Sequence, residues 1–423
     1  LKSLLLEKTG ADRFPDLPLD YHETSEHKLA GLTVKNVYFQ TRPGVYATAN
    51  LYIPDGSGPF PGVVTMMGHS SNGKLYDVYQ AIGHSLALNG YVSLHIDPWG
   101  AGERTTVHGQ FEYHGANLGA SLMNIGETLM GMQITDNMRA VDLLCSLPYV
   151  DSEKIGATGA SGGGNQTMWL AAMDERVKAA VPVVSVGTFQ SYVMNSNCIC
   201  ETLPDGLTFT EEAAVLGLVA PRALKICNGM KDSNRAFYPS EMLKSYDNAR
   251  PVFKLYNADE NLSYQIFNTP HGYWPEIREA TLGWFDLHLK GKGTGAPKKE
   301  QPITLLTEDE LMVFPSGKRN AGVQTTAEFC KEQGTLMSKL TLDDKSINQS
   351  GKIDELKKLL KTDNSPVPYN SRELPAVEGW QRFVIEQAGG QLIPLLLKTA
   401  GTGSEYVILF DPAGKSNISD EVI

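Results

Sequence analysis

The chain has 423 residues, of which 41% are hydrophobic and 20% are charged. This length predicts two or more domains, and the apolar content is sufficient for a sizeable core. No stretch approaches the roughly 18 consecutive apolar residues that would span a membrane. The net charge of −11 leaves no basic surplus for phosphates or anionic lipids. The composition therefore excludes a disordered or collagen-like chain and argues against nucleic-acid binding and a membrane span.

Five cysteines are too few for a disulfide framework, and their spacing lacks the CxxC pairs or histidine partners of a zinc site. We therefore expect buried thiols, with no metal and no cofactor. The five positions are Cys145, Cys198, Cys200, Cys227 and Cys330.

Predicted strands alternate with predicted helices over the first 290 residues. Two strands fall within 32–53, separated at 42–44, and further strands follow at 63–67, 91–96, 154–158, 177–184, 223–227 and 262–267. Helices are predicted up to about residue 89, at 135–147, after 163, at 240–256 and at 275–289. The apolar strands are typical of a parallel sheet covered by helices, so we expect one α/β domain over residues 1–291. The irregular region 185–218 is expected to be a cap or insertion.

Beyond this domain, a stretch rich in Gly, Pro and Lys starts a predicted connector over residues 292–350. The chain then repeats its own beginning at a spacing of about 350 residues. Residues 356–362 are similar to 1–7, 383–387 to 37–40, 390–397 to the strand after Gly44, and 406–410 to 62–66. We expect 351–423 to be the N-terminal part of a second α/β-hydrolase-like domain, or else an unrelated β-rich tail. This second copy is degenerate at Asp411-Pro412, where the first has Gly68-His69.

The segment Gly159-Ala160-Ser161-Gly162-Gly163 fits the G-x-S-x-G motif, with an apolar strand before it and a helix after it. Flanking glycines allow the sharp strand-to-helix turn that exposes a serine. We therefore predict Ser161 as a nucleophile. An oxyanion hole would use the N–H of Gly162 and a backbone N–H of His69 or Ser70, in the loop after an early strand.

A serine hydroxyl needs a base, and the base needs an orienting acid. His271 follows the last predicted strand and precedes the last helix, where the base of such a fold belongs. Asp232, after the preceding strand, is the candidate acid, although an aspartate there can also serve as a helix cap. Glu201 and Asp259 are the alternatives.

Aromatic residues in three loops are candidates for a platform that binds a sugar ring, although buried core aromatics fit the same pattern. They are Trp99, Tyr113 and Trp274, and Glu201 is a further candidate for lining the substrate site. Glu103 and Arg104 are expected to form an ion pair.

Several motifs together resemble the acetyl xylan esterases and dienelactone-hydrolase-like esterases of the α/β-hydrolase superfamily, which are related to prolyl oligopeptidases. The resemblance covers about residues 20–290. The motifs are Gly68-His69 with Asn72-Gly73-Lys74, Asp97-Pro98-Trp99-Gly100-Ala101-Gly102-Glu103, Gly159 to Gly164 with Gln166-Thr167, Cys198-Ile199-Cys200-Glu201, Ala220-Pro221-Arg222, and His271-Gly272-Tyr273.

The resemblance implies a serine esterase that hydrolyses acyl esters, acetyl above all, on plant polysaccharides such as xylan, with Ser161, His271 and Asp232 as its triad. It also implies export to the periplasm or outside the cell, with the cytoplasm left open because no signal peptide is visible. A prolyl oligopeptidase-like peptidase and an inactive carbohydrate-binding hydrolase fold are the alternatives. The expected partner is a small-molecule or polysaccharide ester, and the oligomeric state stays open.

Overall fold

The computed structural model describes residues 1–343, 349–360, 368–388, 390–398, 407–409, 411 and 414–418. The chain divides into two units, Leu1–Thr341 and Leu342–Ile423. Searching the described residues for a helix long and apolar enough to cross a membrane finds none.

The first unit is built on a nine-stranded sheet. Its strands are β1 (His22–Leu29), β2 (Leu32–Arg42), β3 (Val45–Pro54), β4 (Phe60–Met66), β5 (Val92–Ile96), β6 (Val150–Ala160), β7 (Val177–Val183), β8 (Ala223–Gly229) and β9 (Leu262–Phe267). They lie in the order β1-β2-β3-β5-β4-β6-β7-β8-β9. The pairs from β5 through β9 are parallel, and the pairs β1–β2, β2–β3 and β3–β5 are antiparallel. The predicted mostly parallel α/β-hydrolase sheet is therefore confirmed.

Helices connect the parallel strands and cover both faces of the sheet. In chain order the helices of the described chain, of which the last belongs to the second unit, are α1 (Lys2–Thr9), α2 (Asp77–Leu88), α3 (Gly119–Asn124), α4 (Leu129–Ser146), α5 (Gly162–Met173), α6 (Phe189–Met194), α7 (Glu212–Gly217), α8 (Pro239–Leu255), α9 (Pro275–Lys290), α10 (Glu308–Leu311), α11 (Thr326–Asp343) and α12 (Gln349–Leu359). The predicted insertion at 185–218 carries only the short helices α6 and α7.

Two apolar cores separate along the two faces of the sheet. One core holds Trp169 and Leu170 of α5 together with residues of α4 and α8, and the other holds Ile82 of α2 and Phe285 of α9. The central strands β7 and β8 are buried along nearly their whole length. Such strands need cover on both sides, which explains why their sequences are almost continuously apolar.

Residues 292–341 lie within the first unit, which differs from the predicted connector over 292–350. Leu311 and Val313 are buried. The side-chain amide of Asn50 donates to the Leu311 carbonyl at 2.8 Å, and the Glu103 carboxylate accepts the N–H of Val313 at 2.9 Å and of Phe314 at 2.7 Å. Polar anchors and a few buried side chains thus attach this segment, which also carries α10 and most of α11, to the rest of the first unit.

The second unit contains α12 and a three-stranded antiparallel sheet, in the order β10 (Tyr369–Val377), β11 (Trp380–Gln387) and β12 (Leu392–Leu397). The first three strands of the first unit also pair antiparallel in chain order. The partial second copy stays a prediction. Of the matched segments, residues 361–362, 406, 410 and 412 lie outside the described residues.

Candidate active site

The turn from β6 to α5 holds Ser161 in a backbone conformation that is unusual for a non-glycine residue, with φ 59° and ψ −128°. Its N–H donates to the Val183 carbonyl at 2.9 Å. A Cβ added at Gly159 or Gly163 would overlap the Met66 carbonyl oxygen. Glycine is therefore required on both sides of the serine so that β4 can lie close to the turn, and this strained turn is the one that the motif predicts.

The histidine and aspartate candidates form a direct pair. Nδ1 of His271 lies 2.7 Å from Oδ2 of Asp232, whose side chain is fully buried. The other carboxylate oxygen accepts the Asn234 N–H at 2.8 Å. The Phe237 ring stacks on the imidazole with 5.9 Å between ring centroids. These contacts fix the orientation of the ring. Ser161 makes no side-chain hydrogen bond to His271 among the described residues, as is common in a catalytic site without substrate.

The two alternative acids do not pair with His271 in the described part of the chain. Glu201 is buried, accepts a hydrogen bond from the Asn197 side chain at 3.2 Å, and lines the same pocket as Ser161. Burial raises the pKa of Glu201 to about 7. Asp259 is exposed in a turn before β9, whereas His271 follows the end of that strand. Neither residue makes the hydrogen bond to His271 that Asp232 makes.

The loop after β4 lies against the serine turn through Tyr79. The Tyr79 hydroxyl accepts the N–H of Gly68 at 2.6 Å and donates to the Ala160 carbonyl at 3.3 Å. The Ser70 N–H donates within its own loop, to the Gly68 carbonyl at 2.9 Å. No hydrogen bond in the described part of the chain uses the His69 N–H. Of the two predicted oxyanion donors in this loop, His69 is therefore the one left available.

A pocket of about 340 Å³ opens above the serine. Its lining mixes aromatic rings with side-chain amides, and consists of His69, Phe111, Tyr113, Ser161, Asn195, Ser196, Asn197, Cys198, Glu201, Asn234 and Phe237. Tyr113 and Glu201 were predicted to lie here. Trp274 is part-exposed but does not line this pocket, and its indole N–H donates to the Pro270 carbonyl at 3.0 Å.

The prediction that Trp99 lines the substrate site is wrong. Its side chain is fully buried, with the Arg104 guanidinium 3.8 Å above its ring and the Phe329 ring 5.4 Å away. Residues of the segment that was predicted to be a connector therefore cover this tryptophan.

The predicted ion pair between Glu103 and Arg104 is also wrong, because each residue pairs elsewhere. Lys74 is fully buried, 2.6 Å from the Glu103 carboxylate and 2.7 Å from that of Asp97. Arg104 pairs with Asp136 at 2.6 Å. Burial alone would lower the pKa of Lys74, but the two neighbouring carboxylates raise this pKa above its usual value. The motifs that carry these residues thus build a buried ion cluster under the loops of the site.

Beneath the insertion, Glu212 is a buried carboxyl group. It accepts the Gly187 N–H at 3.3 Å and the Tyr192 hydroxyl at 3.0 Å. Burial raises the pKa of Glu212 to about 8. Burial therefore favours the protonated form of this carboxyl group, which supports the segment that carries part of the pocket wall.

The interpretation that the cysteines lack histidine partners is corrected by the structure. Cys198 and Cys200 lie beside His69 and His114, and one ligand atom of each falls within 4.8 Å of every other. The two histidines precede the cysteines by 84 or more positions in the sequence. In the sequence, only the Cys-x-Cys spacing indicates this cluster.

Residues 14–192 match the family model for acetyl xylan esterase. The Bacillus subtilis (strain 168) protein YtaP is 30% identical over 138 residues, which are 30% of this chain and 44% of that protein. The chain spans less than half the length of the curated relatives it matches.

Among solved structures, the methylesterase BT1017 has a TM-score of 0.62 and 20% identity, covering 80% of this chain and 74% of that chain. The acetyl xylan esterase from Paenibacillus sp. R4 has a TM-score of 0.51 and 17% identity, covering 68% and 93%. The predicted resemblance to acetyl xylan esterases of the α/β-hydrolase superfamily is confirmed by the family match and by this shared fold.

Proposed function

Because residues 14–192 match the acetyl xylan esterase model on an α/β-hydrolase fold, we propose that the first unit is a serine esterase that acts on carbohydrate esters. The observation that carries the proposal is the 2.7 Å distance between Nδ1 of His271 and Oδ2 of Asp232, which lie on the loops after β9 and β8. The same fold holds Ser161 at its strained turn. A buried carboxylate on one imidazole nitrogen leaves the other nitrogen to act as a base.

In this mechanism, Nε2 of His271 takes the proton from the Ser161 hydroxyl as the serine oxygen attacks the ester carbonyl. Asp232 holds the Nδ1–H and stabilises the imidazolium. The N–H groups of Gly162 and His69 stabilise the negative oxygen of the tetrahedral intermediate. The intermediate collapses to an acyl-enzyme, and the alcohol leaves with the proton from His271. Water, activated by the same histidine, then releases the acid and regenerates the serine.

The pocket supports a carbohydrate as the alcohol part of the substrate. Tyr113 and Phe111 offer ring faces, and Asn195, Asn197 and Asn234 offer amide groups to hydroxyls. Aromatic surface with a few polar groups is typical of a site that binds small molecules. We propose acetyl groups on xylan as the substrate because of the family match to acetyl xylan esterases. Export from the cell is part of the same proposal.

The test is a panel of acetylated xylan, feruloyl esters, glucuronoyl methyl esters and a proline-containing peptide, incubated with the full chain. We expect acetate release to be fastest. In Ser161→Ala, kcat should fall by about 10⁴-fold or more. Ser57→Ala, an exposed serine at the opposite end of the sheet, is the matched control and should keep full activity.

A fluorophosphonate probe should label the chain and the control but not Ser161→Ala. Activity retained by Ser161→Ala would overturn the mechanism. Faster cleavage of the peptide than of any ester would replace the esterase with a peptidase. A chain that binds xylan oligosaccharides but neither reacts with the probe nor hydrolyses an ester would be an inactive binding module.

A further inference from the structure

Two thiols and two imidazoles meet beside the pocket, from three separate loops. His69 follows β4, His114 begins a short π-helical turn after β5, and Cys198 and Cys200 belong to the insertion after β7. The four candidate ligand atoms all lie within 4.8 Å of one another. Nε2 of His69 is 3.2 Å from Sγ of Cys200. None of the three proposed triad residues belongs to this group of four side chains.

The second observation is that three of the four groups are buried, whereas His69 is exposed. His114, Cys198 and Cys200 are 2%, 7% and 3% exposed. Both ring nitrogens of His114 are buried and make no hydrogen bond to any residue in the described part of the chain. A buried polar group without a partner destabilises the folded chain, so this arrangement favours a ligand between the side chains. The thiols themselves pack in an apolar cluster with Leu122 and Phe329.

The donor set identifies the class of ligand. Two sulfur and two imidazole donors suit zinc, which binds cysteine sulfur at about 2.3 Å and histidine nitrogen at about 2.0–2.1 Å in tetrahedral sites. In a tetrahedron of those bond lengths, a nitrogen and a sulfur ligand lie about 3.5 Å apart. The spacing between His69 and Cys200 is close to that edge. Calcium and magnesium prefer oxygen ligands, which this cluster does not offer.

We propose that His69, His114, Cys198 and Cys200 form a zinc-binding site that ties the insertion to the loop after β4. Four protein ligands fill the tetrahedron and leave no position for water or substrate, so the metal would be structural. The site would hold the His69 loop, and with it the backbone next to the serine turn, in one place. This proposal does not depend on the esterase proposal, because metal content is measured without any substrate.

The experiment measures zinc in the full chain, purified without chelators, by inductively coupled plasma mass spectrometry. We expect about one zinc per chain in the native protein. Cys198→Ser and His114→Ala should each lose zinc affinity by more than the roughly 10–100-fold that changes around a metal's outer shell cause. Cys330→Ser is the matched control. Cys330 is half-buried against the same apolar cluster but offers no ligand, so this variant should keep its zinc.

Two further measurements apply even if a variant folds poorly. Cobalt added to the metal-free native chain should give the visible bands of tetrahedral cobalt and a thiolate charge-transfer band, and the Cys330→Ser chain should do the same. Chelation of the native chain should make two more thiols reactive towards a thiol reagent.

Zinc that is substoichiometric, or equal in the native and Cys198→Ser chains, would overturn the site. So would cobalt spectra without a thiolate band. A native chain whose mass is lower by two hydrogens, with Cys198 and Cys200 joined in a disulfide, would overturn it as well.

Discussion

The buried ion cluster around Lys74 allows a sharp test of how the loops of the site are held. Its ammonium group lies between the carboxylates of Asp97 and Glu103, at 2.7 and 2.6 Å. One cation and two anions give a buried formal charge of −1. Lys74→Met would leave two buried carboxylates without a cation, whereas Glu103→Gln would leave one balanced pair. Both substitutions remove the Lys74–Glu103 ion pair, but only Lys74→Met also removes the Lys74–Asp97 pair and leaves buried negative charge without a cation.

The expected costs follow from those residual charges. Removing one partner of a buried pair destabilises a protein by about 3–5 kcal/mol, so Lys74→Met should lower the free energy of unfolding by that amount. Glu103→Gln keeps the pair between Lys74 and Asp97. The Val313 and Phe314 N–H groups donate to different oxygens of the Glu103 carboxylate, and a glutamine side chain can replace only one of these acceptors, so one hydrogen bond to a charged group is lost, which costs about 1.5–3 kcal/mol. The lysine substitution should therefore cost more than the glutamate substitution.

The assay is urea unfolding of the full chain, followed by tryptophan fluorescence, because four of its five tryptophans lie in the first unit. Lys28→Met is the control, since the Lys28 side chain is 81% exposed and its pair with Glu26 is a surface pair worth at most about 1 kcal/mol. If Glu103→Gln destabilised the first unit as much as Lys74→Met, or more, the argument from residual buried charge would be refuted.

Three further predictions concern the site and its support. Asp232→Asn should lower kcat by about 10⁴-fold with a small change in KM, because the amide favours the wrong histidine tautomer, and steady-state kinetics on an acetyl ester check it. Gly163→Ala should abolish stable folding, because its Cβ would overlap the Met66 carbonyl; Gly334→Ala, whose Cβ would make only an ordinary contact, should melt normally. Glu212 binds its proton more tightly in the folded than in the unfolded chain, so stability should fall as pH rises from about 4.5 to about 8, and Glu212→Gln should flatten that slope in urea midpoints.

The sequence predicted the sheet well because its central strands are short runs of mostly apolar residues. The predicted strand at 177–184 corresponds to β7, and the predicted helix at 275–289 corresponds to α9. Both are bounded by residues that end regular structure. The predicted sites for Ser161, Asp232 and His271 follow from the same regularity, because the loops after parallel strands meet at one edge of the sheet.

The segment over residues 292–341 could not be predicted in the same way. Its attachment to the first unit depends in large part on side chains that are far away in the sequence, such as Asn50 and Glu103. Trp99 illustrates the same limit. A tryptophan in a glycine-rich loop resembles a binding residue, and only the packing of Arg104 and Phe329 shows that it belongs to the interior.

The cysteine and histidine cluster and the proposed oxyanion hole share one residue, His69, and this makes their coupling testable. His69 would offer its side chain to the metal and its backbone N–H to the oxyanion. His69→Ala and Cys198→Ser each remove one metal ligand and leave that N–H in place. If the metal positions the loop, both should lower kcat on a small acetyl ester by up to about 10²–10³-fold, the cost of losing one oxyanion donor.

The double variant should then be no slower than the slower single variant, because both changes act through the same loop. Cys330→Ser should keep the native kcat. If His69→Ala were slow while Cys198→Ser kept the native kcat, the imidazole of His69 would act on the substrate directly, and the loop would hold its place without the cluster. The comparison therefore separates a metal that positions the catalytic backbone from a histidine whose imidazole acts on the substrate itself.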